Sequence, residues 1–329
     1  MTLRIVFLSL AILLMGGNSF SQETPGEDSF EPYGKPILRI YTNYHSTWSG
    51  GDVNKVFQIQ RAYLGYQRQF SKAISGRLVL DVGDPAFGNF QMTAYLKNAF
   101  IQYRKNKFTA RLGMIGLFQF KLQEDMWGGR YFYKSFMDEH SFGPSADLGA
   151  FVTYDFHKVV SADITLTNGE GYKKLESDSI LKVSLGVTVR PAKGLDLRAS
   201  YDYMGNESSQ QTLALYAGYN INGFRFGAEY NYQLNHKMNA AQNLTGVSVY
   251  GSYQMKTFRF IGRYDKLSSP QIGTETDPWN YARDGQLFIA GVEFNPVKGI
   301  MVTPHYQGWV RADGGPMSNS AYLSLQIRF

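Results

Sequence analysis

The chain has 329 residues, 43% hydrophobic and 15% aromatic, with 34 Gly, no Cys and a formal charge of +6. The missing cysteine excludes a disulfide scaffold, a Cys-ligated metal site and a lipid-modified N-terminal cysteine. Mean hydropathy is −0.29, and no run beyond the N-terminus approaches the ~18 apolar residues that a membrane-spanning helix needs.

Arg4, the apolar run Ile5 to Met15 and the break at Gly16-Gly17-Asn18 have the form of an export signal. Ser19 and Ser21 sit three and one residues before a cut ahead of Gln22, so residues 1–21 are expected to be removed. Residues 22–34, "QETPGEDSFEPYG", read as a flexible polar lead-in. The remainder, 35–329, reads as one domain.

From Lys35 onward hydrophobicity alternates with period two, with almost no 3.6-residue stripe. Leu181, Val183, Leu185, Val187 and Val189 face one way, and Lys182, Ser184, Gly186, Thr188 and Arg190 the other. Phe224, Phe226, Ala228, Tyr230 and Tyr232 repeat the rhythm, and Ala321, Leu323, Leu325, Ile327 and Phe329 carry it to the end. Sixteen such runs lie near 36–48, 54–70, 73–84, 89–105, 107–117, 145–156, 158–168 and 178–190, then 194–204, 209–220, 223–234, 243–255, 257–266, 283–294, 299–311 and 319–329. The runs at 36–48 and 73–84 are the faintest, so fourteen strands is the other count the pattern admits.

Every second connection is a short polar turn, among them Ser71-Lys72, Asn106-Lys107 and His157-Lys158, whereas 118–144, 169–177, 235–242 and 267–282 are longer. Aromatics such as Tyr41, Trp48, Tyr66, Tyr232 and Tyr253 gather at strand ends, where ring girdles meet lipid headgroups. In hydrocarbon every backbone N–H and C=O needs a protein partner, a demand that strands meet only by closing into a barrel. The expected fold is all-β: a transmembrane antiparallel β-barrel of about sixteen strands, with short turns at one end and long loops at the other.

The segments "FQIQRAYLGYQRQF" (57–70), "LKNAFIQYRKNKFTARLGMIGLFQF" (96–120) and "DLGAFVTYDF" (147–156) resemble the phosphate-selective O/P-type porins. That resemblance implies a sixteen-stranded, usually trimeric channel of a Gram-negative outer membrane, whose terminal aromatic strand is read by the assembly machinery. The chain departs from the family pattern at Gln60-Arg61, at Asn98 and at Gly116-Leu117, so the architecture carries over better than the anion selectivity.

Phe118 to Pro144, the third long-loop connection, is expected to fold inward and narrow the channel. Lys121, Glu124, Asp125, Arg130, Lys134, Asp138 and Glu139 are its candidate constriction charges, and an external lid or trimer latch is the alternative use of the loop. On the wall, Arg61, Arg77, Arg111, Arg198, Arg225, Arg259 and Arg263 are the candidate pore-lining cations, with Arg39, Lys182 and Arg311 on the same wet face. Against them stand Asp81, Asp147, Asp155, Asp163, Asp196, Glu229, Asp265 and Glu293, which leaves the expected lumen only weakly positive. Guanidinium forks favour anions.

His45, His140, His157, His236 and His305 are scattered without helical spacing, so no metal or cofactor is expected. No nucleophile elbow or phosphate loop is present, which argues against an enzyme, and nothing suggests nucleic acid as a partner. The expected function is passive diffusion of small hydrophilic solutes or inorganic anions by an exported homo-trimer in the outer-membrane bilayer. The competing readings are a non-conducting surface barrel that binds a partner and, more remotely, a barrel hydrolase.

Overall fold

A computed structural model describes residues 30–83 and 92–329. The predicted signal peptide, 1–21, and the lead-in as far as Ser29 lie outside the described residues, and the barrel unit runs from Tyr33 to Phe329. Its first eight strands are β1 (Tyr33–Ser49), β2 (Asp52–Gln69), β3 (Ile74–Gly83), β4 (Thr93–Lys105), β5 (Phe108–Gly116), β6 (Ala146–Asp155), β7 (Val160–Thr167) and β8 (Lys182–Ala192). The second eight are β9 (Leu195–Met204), β10 (Gln210–Ile221), β11 (Phe224–Leu234), β12 (Leu244–Met255), β13 (Phe258–Ser268), β14 (Gly285–Val297), β15 (Ile300–Arg311) and β16 (Ser318–Arg328).

Each strand pairs antiparallel with its sequence neighbour, and β1 closes on β16, giving a sixteen-stranded barrel rather than a fourteen-stranded one. The closing register runs from Arg39 opposite Arg328 to Trp48 opposite Asn319.

Burial is inverted relative to a soluble domain. On β16, Leu323 is 50% exposed while its neighbour Ser324 is 0% exposed. The apolar set therefore faces outward and the polar set faces an enclosed interior. Outward Leu112, Leu185, Phe226 and Phe260 repeat the pattern around the wall.

Two of the boundary differences have a visible cause. The lead-in gives up Tyr33 and Gly34 to β1, because Tyr33 pairs with Gln69. The run predicted from 178 begins instead at Lys182. Glu176 and Asp178 hold the preceding backbone in a turn by accepting the N–H groups of Ser179 at 2.6 Å and Ile180 at 2.8 Å.

Candidate functional site

The connection between β5 and β6 contains a helix over Lys121–Trp127 and a single turn over Phe136–Glu139. Gly128, left-handed at φ 64, ends the first helix and donates its N–H to the Glu124 carbonyl at 2.9 Å. The chain then doubles back, and the Trp127 indole donates to the Tyr133 carbonyl at 2.9 Å.

Apolar side chains tie this loop to the inner wall. Met126, Trp127, Tyr131 and Phe132 pack with Tyr41, Tyr250, Ile261, Leu287 and Ile289, while Phe136, Met137 and Phe142 pack with Ala214, Leu244 and Leu267. These wall positions point inward. At Gly246 of β12 a Cβ would fall 2.1 Å from the Phe136 ring, so only glycine allows this close approach.

Polar contacts fix the register of the loop. Tyr131 donates its hydroxyl to Glu293 at 3.0 Å, and Arg259 donates to the same carboxylate at 2.6 Å and to the Trp127 carbonyl at 3.3 Å. Arg263 grips Asp265 with two N–H bonds of 2.8 Å and the Lys134 carbonyl with a third of 2.8 Å. Its guanidinium also lies over the rings of Trp127 at 4.9 Å and Tyr133 at 5.1 Å. Tyr250 donates to the Gln123 carbonyl, and Gln233 donates to that of Phe142.

The loop leans chiefly against β10 to β15, meets β1 at Tyr41, whose ring lies 6.2 Å from that of Tyr131, and leaves an opening along β1 to β5. A cavity of 710 Å³ lies there, walled by β1 to β5 and the end of β16. Its wall cations are Arg39, Arg77, Lys97, Arg111 and Arg328, and its carboxylates among the described residues are Glu124 and Asp125 of the loop. Arg39 sits directly across from Arg328 in the sheet. Arg111 donates to Gln102 at 2.8 Å and lies between the Phe100 and Phe151 rings, at 5.4 and 5.3 Å. Lys97 approaches an acid, Asp81, at 3.8 Å. The other four make no ion pair among the described residues, although like charges in register repel one another.

The predicted constriction charges separate into two groups. Lys121, Glu124, Asp125 and Arg130 line the cavity, with Lys121 paired to Asp125 and Arg130 lying 3.2 Å from Glu124. Lys134 and Asp138 do not line it. Lys134 meets Glu139 at 3.5 Å, and Asp138 lies 3.0 Å from Arg130. Burial alone would raise the Asp138 carboxyl, yet Arg130 and Lys134 hold it below the usual carboxylate range.

Among the predicted wall cations, Arg77 and Arg111 face the cavity. Arg198, Arg259 and Arg263 correct the expectation of an open pore wall. They are buried in ion pairs with Asp163 at 2.6 Å, Glu293 at 2.6 Å and Asp265 at 2.8 Å, beneath or beside the loop. Lys182 is likewise shut in with Asp202 at 3.3 Å. Arg61 pairs with Asp81 at 2.7 Å outside the cavity lining, and Arg225 approaches Gly128 under the loop.

Three cavity cations were not singled out as site residues by sequence reasoning. Arg39 and Arg328 share the wet register of their strands and were legible there. Lys97 is not, because the pairing of β3 with β4 slips by one residue between Val79 and Leu80 and turns an off-phase residue inward. Among the described residues, Glu170, Glu176 and Asp178 bring carboxylate oxygens within 4.8 Å of one another. Glu176 and Asp178 already accept backbone N–H groups there, and the group reads as a turn.

His140 gives the loop a pH dependence. Burial, with its ring 4.5 Å from that of Phe136 and 6.1 Å from that of Trp309, holds the imidazole below its ordinary 6.5. Asp265 and Glu139 pull the value up, and Arg263 and Lys134 push it down. An undocked loop carries His140 at the ordinary value and so binds more protons below it. The contribution of His140 to docking is accordingly fully present above about pH 6.5 and is lost as pH falls toward the depressed value. Hydrogen exchange across 120–142 is predicted to be faster at pH 5 than at pH 7.5, and His140→Phe should remove most of that difference.

No protein-family description matches the chain, and no curated protein sequence does. Its fold is that of outer-membrane porins. The outer membrane channel DcaP of Acinetobacter baumannii superposes with a TM-score of 0.68 at 13% identity, over 93% of this chain and 100% of that one. Pseudomonas putida OprB gives 0.68 at 11% identity, over 90% of this chain and 94% of its own. The anion-selective porin from Comamonas acidovorans gives 0.64 at 11%, over 91% and 100%. At such identities the likeness is one of architecture.

Proposed function

We propose that this barrel is an outer-membrane porin, working as a trimer, that lets small hydrophilic solutes diffuse passively and favours anions. Its long connections would face outward and its short turns the periplasm. The observation that carries the reading is the distribution of charge, not its total. Four acids of the lumen, Asp163, Asp202, Asp265 and Glu293, are held by Arg198, Lys182, Arg263 and Arg259 on β7 to β9 and on β13 and β14, away from the open arc. What faces the open arc is Arg39, Arg77, Lys97, Arg111 and Arg328.

A water-filled slot with low-dielectric walls focuses such a field, raising the local anion concentration without a binding site of high affinity. The loop sets the width and the cations set the sign. No cofactor enters this account, and a finer assignment to phosphate rests only on the sequence resemblance to the phosphate-selective group.

The test is a planar bilayer with a tenfold salt gradient. Discrete conductance steps with a reversal potential on the anion side are expected. A folded, inserted barrel that stays silent would favour the partner-binding scaffold, and a potential on the cation side would remove the anion preference.

A further inference from the structure

The short-turn end of the barrel carries a second regularity. Six of its seven turns present an exposed lysine: Lys72, Lys105 with Lys107, Lys158, Lys193, Lys256 and Lys298. Only the Asn222-Gly223 hairpin lacks one, and Asp155 is the exposed acid among these turns. The long-loop end instead mixes Glu176, Asp178, Glu207, Glu275 and Asp277 with Lys173, Lys174 and Lys237. Charge is therefore polarised along the barrel axis.

The lysines also have a defined depth. Exposed outward rings stand next to the turns, paired as Tyr103 with Phe108 at 6.3 Å, Tyr154 with Phe156 at 5.0 Å and Phe258 with Phe294 at 5.1 Å. Such rings settle at the headgroup boundary. A lysine at the adjoining turn, on a flexible four-carbon stem, then reaches the phosphate layer.

The geometry points to a lipid partner: we propose that this lysine girdle binds the anionic headgroups of the periplasmic leaflet and holds a shell of phosphatidylglycerol-class lipid around the barrel. A protein or a polymer would meet one sector of the rim. The bilayer meets every sector not turned toward a neighbouring protomer, and the lysines recur at nearly every strand pair. The inference rests on the membrane placement proposed above.

The experiment compares spin-labelled phosphatidylglycerol with spin-labelled phosphatidylcholine for association with the barrel in mixed vesicles. The wild type is expected to favour phosphatidylglycerol about threefold or more at low ionic strength, falling toward parity in 0.5 M salt. Changing Lys105, Lys107, Lys158, Lys193, Lys256 and Lys298 to Gln should abolish the preference, and changing the same six to Arg should keep it. Lys173→Gln with Lys174→Gln and Lys237→Gln, at the other end, should leave it unchanged.

These positions lie outside the packed interior, and heat-modifiable migration on a gel confirms that each variant is folded. Equal association of both lipids with the wild type, or a preference that survives the six Gln changes, overturns the inference. So does binding to purified cell-wall sacculi without any lipid preference. Conductance recorded in the same lipids separates this outcome from failure of the porin reading: a barrel that conducts but ignores headgroup charge sinks only the lysine girdle.

Discussion

Replacing Arg77 and Arg111 together with Glu is expected to turn the channel from anion-favouring to cation-favouring. Both face the 710 Å³ cavity, and neither is held by an acid among the described residues. A unit charge about 10 Å from a permeating ion contributes about 0.4 kcal/mol in water. Two reversals change four charges, or roughly 1.7 kcal/mol against an anion and as much in favour of a cation, so the anion-to-cation permeability ratio falls by up to about two hundredfold before screening. The measured reversal potential in a salt gradient should change sign at 0.1 M and shift less at 1 M, where screening shortens to about 3 Å. Arg77→Gln with Arg111→Gln should fall between. A potential that stays where it was would mean that permeating ions do not travel along this arc.

The second large effect concerns the inward loop. Arg263→Met removes a guanidinium that bonds Asp265 twice and the Lys134 carbonyl once, with rings of Trp127 and Tyr133 against it. Asp265 is then left buried and uncompensated, and breaking a buried pair in this way costs about 3–5 kcal/mol. The predicted result is release of residues 120–142 from the wall, seen as trypsin cleavage after Arg130 and as a rise in single-channel conductance. Adding Asp265→Leu to Arg263→Met should restore much of the protection, since an apolar pair leaves no stranded charge. Gly246→Val reaches the same open state from the opposite side by displacing the Phe136 ring. If conductance is the same in all three variants, the loop does not set the width of the channel.

The strands were legible in the amino-acid sequence because lipid on one side and water on the other impose period two on both faces of each strand. Where the loop docks, that rule is broken. Phe260-Ile261 on β13 and Leu287-Phe288-Ile289 on β14 place apolar residues on both faces. Their inward members, Ile261, Leu287 and Ile289, are the ones covered by Trp127, Tyr131 and Phe132. That interruption was the available sign of a covered strip of wall.

The partners of the inward arginines were not legible to the same degree. Asp265 lies two residues from Arg263 on one strand, a pairing that the sequence displays. Asp163 meets Arg198 from β7, two strands away, with Thr188 of β8 between them. Glu293 meets Arg259 across the β13–β14 register. Such pairings depend on register, which strand pattern alone leaves open. A count of charges on the wet face consequently gives a nearly neutral lumen, whereas the folded chain gathers its surplus cations on the arc of β1 to β5, where Arg61 with Asp81 is a neutral pair, and holds other pairs on β7 to β9 and on β13 and β14.

The seam between β1 and β16 has a kinetic consequence. It joins residues nearly the whole domain apart in sequence, with Arg39 set opposite Arg328 and the Phe329 N–H bonded to the Leu38 carbonyl at 3.3 Å. Contacts of such separation form late, because loop-closure entropy opposes them until the intervening hairpins are in place. Until they do, β1 and β16 remain open edges, able to recruit strands from other molecules. An escort that shields β1 is therefore required for as long as β16 has yet to arrive.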